Sequence, residues 1–250
     1  MDINTLRAAL EAREFFLVYQ PIISLSDGAC FGAEALIRWR RENAAVVGAA
    51  EFIPMTDHTP LSGPITYWVI DTVAAEFSDW LASNEAVCIS INVPPEILGR
   101  GGLAYAAAKS GLSARAKQLI LEVTERGIPD QLGVDALNSI PRGGVRVALD
   151  DTTLTGTNLA LLTRCSFDFI KIDPRLVAEL AVDKRAPSWL SGLEALLQTT
   201  SLQIIAEGVE TKFQAEALRM AGVQLAQGHY FSAALSAADF KRYYAVTARI

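Results

Sequence analysis

The sequence predicts an α/β protein, a (βα)8 TIM-type barrel whose first strand runs antiparallel to the second. Three observations support this fold class. The chain has 250 residues, a usual length for such a barrel. Eight short β-rich runs recur along it, and helical patterns separate the last seven of them. We expect residues 1–250 to form a single domain.

Several of the eight runs are almost continuously apolar, which is typical of parallel strands covered on both faces. The runs are FFLVYQPI (15–22), ACFGAEALIRW (29–39), AVCISINV (86–93), QLILEVTE (118–125), GVRVALDD (144–151), FDFIKID (167–173), LQIIAEGVE (202–210) and GVQLAQG (222–228). Helical patterns cover 61–83, 184–200 and 211–221, and an amphipathic helix opens the chain. Only ISLSDGA joins the first two runs, a segment too short for a crossover helix and suited to a hairpin.

Composition excludes several classes of function. The net charge is −6 and the sequence pI about 5.1, so neither a nucleic-acid polymer nor a membrane surface is an expected partner. Cys30, Cys88 and Cys165 lie far apart in apolar runs, which predicts buried free thiols and a cytoplasmic, reducing setting. No apolar segment is long enough to cross a membrane, and the amphipathic opening helix is unlike a signal peptide.

Polar side chains collect at the carboxyl ends of the predicted strands, which converge on one mouth of a barrel. They are Glu34, Arg38, Asn92, Glu122, Asp150, Asp151, Lys171, Asp173, Glu207, Glu210 and Gln227. Plainer interpretations exist for single positions: Asp173 before a proline suits a helix cap, Lys171 alone could reach solvent, and Gln227 before a glycine suits a turn.

Three glutamates favour a functional site over these plainer interpretations. Glu34, Glu122 and Glu207 interrupt apolar strands, where burial excludes a charge that is neither paired nor bound to metal. Converging oxygen donors, with only two histidines in the chain, indicate Mg²⁺ or Mn²⁺ rather than zinc. Motifs for a serine nucleophile, a zinc protease, a P-loop or a dinucleotide fold are absent.

Eight motifs, from YQPI near residue 20 to QGHYFS near residue 230, occur in an order and spacing that resemble the EAL domain family of cyclic di-GMP phosphodiesterases. The set begins with YQPIISLSDGACFGAEALIRW, in which Glu34, Ala35 and Leu36 are the triplet that names the family. It continues through EFIP (51–54), INV (91–93), LEVTE (121–125), ALDD (148–151), IKID (170–173), IAEGVET (205–211) and QGHYFS (227–232). Each motif is weak alone, but the order and spacing are specific. The family fold is a (βα)8 barrel with an antiparallel first strand.

The resemblance implies a role for each matching residue. Glu34, Asn92, Glu122 and Asp150 would hold one divalent ion, and Asp150 would share a second with Asp151. Lys171 and Glu207 would position and activate the attacking water. Arg38 would contact a substrate phosphate, and Gln20, Asp173, Glu210 and Gln227 would line the substrate site or support its surroundings. Glu125 would tether the loop that follows the paired aspartates.

That loop departs from the family pattern. The family usually has Phe-Gly-Thr-Gly after its two aspartates, whereas this chain has TTLTGTN over 152–158. Threonines resist the positive φ and close backbone approach that glycines permit. This altered loop is the reason for an alternative hypothesis, in which the domain binds cyclic di-GMP with weak or no hydrolysis.

The leading hypothesis is therefore a metal-dependent hydrolase of the bacterial second messenger cyclic di-GMP, giving linear pGpG with two Mg²⁺ or Mn²⁺ ions. The alternative is a signal-transduction receptor that binds cyclic di-GMP and hydrolyses it weakly or not at all. From the residues alone, a barrel that abstracts a proton next to a carbonyl, as enolase-like enzymes do, is a third and weaker choice. A homodimer and fused or separate sensor domains stay open as partners.

Overall fold

The computed structural model of the protein describes residues 2–41, 45–124, 129–140, 144–153, 161–181 and 187–248. Nine strands lie within these ranges. They are β1 Phe15–Ser24, β2 Cys30–Arg40, β3 Val46–Gly48, β4 Cys88–Val93, β5 Leu119–Thr124, β6 Arg146–Thr152, β7 Phe169–Ile172, β8 Gln203–Ala206 and β9 Leu225–Ala226. All eight strands predicted from the sequence are confirmed. The short strand β3 was not predicted.

Eight of the strands close into a barrel in the order β1, β2, β4, β5, β6, β7, β8, β9 and back to β1. Strand β1 runs antiparallel to both of its neighbours, β2 and β9, while the other adjacent pairs around the barrel are parallel. The added strand β3 pairs antiparallel with the outer end of β2. The predicted TIM-type barrel with an antiparallel first strand is thus confirmed.

The β1–β2 hairpin explains the reversed first strand. Its tight turn is closed by a backbone hydrogen bond of 2.9 Å from Gly28 N–H to the Ser24 carbonyl. Asp27 Oδ1 accepts from the backbone N–H of Ala29, and Gly28 has a φ of +75°, which a residue with a Cβ rarely adopts. The chain therefore turns back without the crossover helix that a parallel pair requires.

Helices cover the outside of the barrel. They are Ile3–Glu11, Ala49–Phe52, Ser62–Ser83, Gly102–Lys109, Gln131–Ser139, Pro174–Val177, Ser188–Thr199, Lys212–Met220 and Ala237–Thr247, with 3₁₀ turns at Ile53–Met55, Pro95–Ile97 and Leu112–Gln118. Side chains of Asp2, Asp130, Thr211 and Ser236 accept backbone hydrogen bonds at the first turns of four of them. Within the described ranges, no helix has the length and apolar character needed to cross a membrane.

Two apolar layers position the mouth of the barrel. Between strands and helices, the ring of Tyr19 packs against Phe77 and Phe240. Inside the barrel, a second layer forms a floor from Ile22, Cys88, Ile120, Ala148, Phe169, Ile205 and Leu225. The guanidinium of Arg146 lies over Phe169, 5.2 Å from the ring centroid, at the amino-terminal end of β6. Polar side chains inside the barrel are consequently collected at the opposite end.

The cysteines are part of these layers. Cys30, Cys88 and Cys165 are all buried and free, as predicted. Burial is the first cause that raises the pKa of each thiol, so the thiolate form is disfavoured.

We predict that Gly32→Ala destabilises the barrel. Gly32 lies in β2 beside β4, and a Cβ there would stand 2.1 Å from the Cys88 carbonyl oxygen, a backbone atom that cannot rotate away. We expect the free energy of unfolding to fall by about 2–3 kcal/mol, measured by urea titration. The control is Gly48→Ala, because a Cβ at Gly48 would meet nothing within 4 Å. Equal stability of the two variants would contradict the close approach.

Candidate active site

A buried lysine occupies the centre of the barrel mouth. Lys171 points inward from β7, and none of its side chain is exposed. We use the name Lys171 cluster for this residue and the four carboxylates around its ammonium group. The distances from Lys171 Nζ are 2.7 Å to Glu122 Oε2, 2.7 Å to Glu207 Oε1, 3.1 Å to Glu34 Oε2 and 3.1 Å to Asp150 Oδ1.

Two side-chain amides fix the orientation of the carboxylates. Asn92 Nδ2 donates to Glu34 Oε1 at 2.9 Å. Gln227 Nε2 donates to Glu34 Oε2 at 2.6 Å and to Glu207 Oε1 at 3.0 Å. Gln227, predicted to border the substrate, therefore joins two carboxylates that come from opposite ends of the sequence.

Negative charge exceeds positive charge in the Lys171 cluster. If every group is ionised, four carboxylates face one ammonium. Burial, followed by the charge of Glu34, raises the pKa of Glu122 well above its usual value. Burial also raises the pKa of Asp150, and it raises the pKa of Glu207 to about 8. At neutral pH the metal-free site therefore favours protonated carboxyl groups.

The pKa values of Glu34 and Lys171 shift so as to favour their charged forms, because the neighbouring groups outweigh the effect of burial. Burial acts to raise the pKa of Glu34, but the charge of Lys171 and the hydrogen bonds from Gln227 and Asn92 bring it below its usual value. Burial acts to lower the pKa of Lys171, but the surrounding carboxylates, Asp150 first, raise it well above 10.5. Lys171 is therefore a permanent cation in the site.

A bulge at the end of β6 brings both aspartates to the mouth. Between the paired positions, β6 advances from Leu149 to Thr152 while β7 advances from Ile170 to Ile172, so β6 contains one extra residue. Asp151 has a φ of +55°, a left-handed conformation that aspartate tolerates better than most residues. Successive residues of a regular strand point to opposite faces, and a bulge can turn the second side chain towards the first.

The donor set fits a divalent cation. One oxygen each from Asp150, Asp151 and Glu207 lie within 4.8 Å of one another. Glu122 Oε1 is buried without a hydrogen-bond partner, and Asp150 Oδ1 lies near Lys171 without hydrogen-bond geometry. Carboxylate oxygens are the ligands that hard divalent cations prefer, and such a cation would neutralise the excess charge. The structure thus supports a metal site made of acidic residues at the predicted position.

The remaining predicted residues lie around the Lys171 cluster or beyond it. Gln20 of β1 is half-buried and directly opposite Glu34 in the β1–β2 register. Arg38 is half-buried, and its Nη1 donates to the Ile37 carbonyl at 2.9 Å. Glu210 is exposed, and its backbone N–H donates to Gln214 Oε1. Glu125 and loop residues 154–158 lie outside the described ranges, so their predicted effects stay predictions.

Asp173 has a more specific environment than the sequence indicated. Its carboxylate is buried, caps the helix Pro174–Val177 as the plainer interpretation predicted, and pairs with the side chain of Arg175. Sequence reasoning did not single out Arg175, because residue spacing does not show that its side chain folds back onto Asp173.

A cavity of about 350 Å³ opens beside the carboxylates. Glu34, Asn92, Asp150 and Asp151 line one side of it, and Ile53, Pro54, Ile65 and Val69 line an apolar wall. Glu96 holds the rim by accepting hydrogen bonds from the backbone N–H of His58 and from Ser62 Oγ, both at 2.9 Å. An apolar wall next to a charged site is a typical arrangement for a ligand that has both characters.

Comparison with known proteins identifies the family of this barrel and its acidic mouth. The model of the EAL domain matches residues 3–234. The chain therefore belongs to the EAL domain family.

Curated relatives include the probable cyclic di-GMP phosphodiesterase PdeB of Escherichia coli strain K12. It is 32% identical over 243 residues, which cover 96% of this chain and 46% of PdeB. MucR of Pseudomonas aeruginosa, a bifunctional diguanylate cyclase and cyclic di-GMP phosphodiesterase, is 33% identical over 233 residues that cover 90% of this chain and 34% of MucR. The chain thus spans less than half the length of these two relatives.

Solved structures agree with this assignment. The MucR phosphodiesterase in complex with cyclic di-GMP superposes with a TM-score of 0.84 and 30% identity, covering 95% of this chain and 98% of that one. The EAL enzyme Bd1971 with cAMP and cyclic di-GMP bound gives a TM-score of 0.86 and 27% identity, covering 96% of this chain and 67% of that one.

We predict that a divalent cation reverses the pH dependence of stability. The pKa of Glu207 rises from 4.5 to about 8 on folding, so between these values the folded protein holds a proton that the unfolded chain releases. Stability of the metal-free protein should therefore fall as the pH rises through this window. The pKa of Lys171 is raised well above 10.5 and that of Glu34 is lowered below 4.5, so both groups keep their charge throughout this window and add no slope.

The melting temperature, measured by calorimetry across this window with and without a divalent cation, tests this prediction. A cation that binds ionised carboxylates should stabilise more as the pH rises, because fewer protons compete for them. The Glu207→Gln variant serves as the control and should show a weaker pH dependence without cation. A cation effect that is equal at both ends of the window would be evidence against the assignment.

Proposed function

We propose that this chain hydrolyses cyclic di-GMP to linear pGpG with the help of Mg²⁺ or Mn²⁺, and that it holds two such ions. The main support for the proposal is the position of Asp151. One of its carboxylate oxygens lies within 4.8 Å of an oxygen of Asp150 and an oxygen of Glu207, close enough for all three to bind one cation. Lys171 stands beside the same group. Carboxylates arranged around a buried cationic lysine suit the hydrolysis of a phosphodiester.

The proposed ligands follow from the donor atoms. Glu34, Asn92, Glu122 and Asp150 would hold one ion, and Asp150 and Asp151 would hold the other. Asn92 is already within hydrogen-bond distance of Glu34, and Glu122 has a buried oxygen without a hydrogen-bond partner. When bound, divalent ions supply charge neutralisation of the phosphate and a lowered pKa for coordinated water.

Lys171 and Glu207 carry the proton chemistry in this proposal. Lys171 remains protonated and presents a fixed positive charge next to the reacting phosphate. In the metal-free site Glu207 has a pKa of about 8 and is mostly protonated at neutral pH. A bound cation would favour its ionised form, which could then take a proton from the attacking water. Gln227 Nε2 and Lys171 Nζ both contact Glu207 Oε1, which holds the carboxylate in one orientation.

Substrate binding is assigned to the surroundings of the Lys171 cluster. The cavity with the Ile53 and Pro54 wall suits a guanine base, while Arg38 and Gln20 border the carboxylates from β2 and β1. Asp173 and Glu210 remain proposed members of the substrate site and its surroundings. The similarity to PdeB, a probable cyclic di-GMP phosphodiesterase, and to the bifunctional MucR supports cyclic di-GMP as the substrate.

The wider setting is part of the same proposal. We propose that residues 1–250 act as one EAL domain in the cytoplasm, where three buried free thiols are stable. A homodimer and a fused or separate sensor domain are the proposed regulatory partners. A receptor that only binds cyclic di-GMP is less favoured, because Asp151 lies with the other acidic donors despite the altered sequence after it.

We predict that the purified chain converts cyclic di-GMP to pGpG with Mg²⁺ or Mn²⁺, followed by chromatography. Glu34→Ala should lower the rate at least about 100-fold and weaken metal binding, because Glu34 is a proposed ligand that also contacts Lys171 and Gln227. Glu216→Ala is the control, since Glu216 is exposed on an outer helix. An unaffected rate in Glu34→Ala would refute the site assignment.

We also predict that Asp151→Asn separates hydrolysis from binding. The carboxamide keeps the size of the side chain but removes the charge that the proposed second ion requires. Turnover should fall at least about 100-fold while cyclic di-GMP still binds, as measured by calorimetry. Binding without turnover in the unmodified chain would instead support the receptor alternative.

A further inference from the structure

An ion pair between Asp173 and Arg175 lies at the end of β7. Asp173 Oδ1 accepts the backbone N–H of Arg175 at 2.7 Å, which begins the helix Pro174–Val177. The side chain of Arg175 folds back, and its Nε lies 2.9 Å from Oδ1 and 3.0 Å from Oδ2 of the same carboxylate. Its Nη2 donates to Oδ2 as well. The carboxylate therefore fixes the plane of the guanidinium.

This pair borders the Lys171 cluster. Asp173 directly follows the last residue of β7 and is two residues beyond Lys171, about 7 Å towards the mouth at the usual rise of a strand. Pro174 packs so closely on Gly208 that a Cβ at that glycine would stand 2.5 Å from the Cβ of Pro174. Gly208 directly follows Glu207, so the start of the helix is packed against the segment that carries this proposed catalytic carboxylate.

The two partners differ sharply in exposure. The Asp173 side chain is 4% exposed, whereas the Arg175 side chain is 77% exposed. Both oxygens of Asp173 accept hydrogen bonds from Arg175, so the group presented to solvent at this point is a guanidinium rather than a carboxylate. Asp173 thus has the surroundings of a positioning residue.

Arg175 and Arg38 belong to opposite sides of the barrel. Three strands separate β2 from β7 in either direction around the ring, β4, β5 and β6 one way and β1, β9 and β8 the other. The carboxylates of the Lys171 cluster lie between these two sides. A cyclic dinucleotide has two phosphodiester groups on opposite sides of its ring, and an anion above an acidic site needs cations around it.

We infer that Arg175, held in place by Asp173, binds a phosphate of the cyclic dinucleotide on the β7 side of the barrel mouth. The inference rests on the proposed function and adds a specific substrate contact to it. Arginine suits this contact because its planar fork matches the geometry of a phosphate, and fixing that plane in advance reduces the entropy lost on binding.

The test is steady-state hydrolysis of cyclic di-GMP with Mg²⁺ by the wild type, Arg175→Gln and Arg175→Lys. We expect Arg175→Gln to raise KM about tenfold while kcat changes less than about twofold, since the contact is remote from the reacting bond. Arg175→Lys should restore most of the affinity, with KM within about threefold of the wild type, because a phosphate also accepts an ammonium.

The matched control is Arg242→Gln. Arg242 is 74% exposed and forms a similar local ion pair with Asp239, but it lies on the helix Ala237–Thr247 outside the barrel, so its loss should leave KM unchanged. Circular dichroism checks that each variant is folded.

The outcomes separate this inference from the proposed function. A wild-type chain that neither binds nor hydrolyses cyclic di-GMP overturns both. An active wild type with an unchanged KM in Arg175→Gln overturns the inference alone. A lysine variant as weak as the glutamine variant also overturns the inference, because a phosphate within reach of residue 175 would accept an ammonium in place of the guanidinium.

Discussion

The buried ammonium of Lys171 is the interaction on which the site depends. It lies within 3.1 Å of an oxygen from each of four carboxylates that come from four different strands or strand ends. A charge in the interior is tolerated only when it is paired and hydrogen-bonded, and here one cation lies beside four carboxyl groups. One ammonium stabilises the buried carboxylates but does not balance their full negative charge. The uncompensated charge favours the binding of divalent cations.

The barrel provides this arrangement by dividing its interior into an apolar floor and a polar mouth. Ile120, Phe169 and Ile205 fill the lower level, and each is followed two residues later on its strand by Glu122, Lys171 or Glu207. Residues two positions apart on a strand point to the same face, so on each of these strands the apolar residue lies in the floor and the polar residue lies one level higher, in the mouth. Antiparallel strand β1 brings Gln20 opposite Glu34, so the reversed strand also contributes its side chains to the mouth.

Sequence reasoning reached most of this architecture because the signals were local. Apolar runs identified the eight strands of the barrel, and the short ISLSDGA connection identified the antiparallel first strand. The glutamates inside apolar strands identified the mouth. The bulge at Asp151 was not predictable in this way, because the extra residue is defined only by its pairing with β7. Arg175 was missed for a related reason: its side chain folds back over Asp173, which residue spacing alone does not reveal.

The bulge in β6 has a consequence for how activity could be lost in this family of sites. Asp150 and Asp151 are adjacent, so in a regular strand their side chains would point to opposite faces of the sheet. The extra residue in β6 and the φ of +55° at Asp151 allow both carboxylates to point into the mouth of the barrel. A loop change that straightened the strand would swing the second carboxylate to the outer face while every acidic residue stayed in the sequence. A chain can thus keep a complete set of ligands and lose hydrolysis through backbone shape, becoming a sensor of the molecule it once degraded.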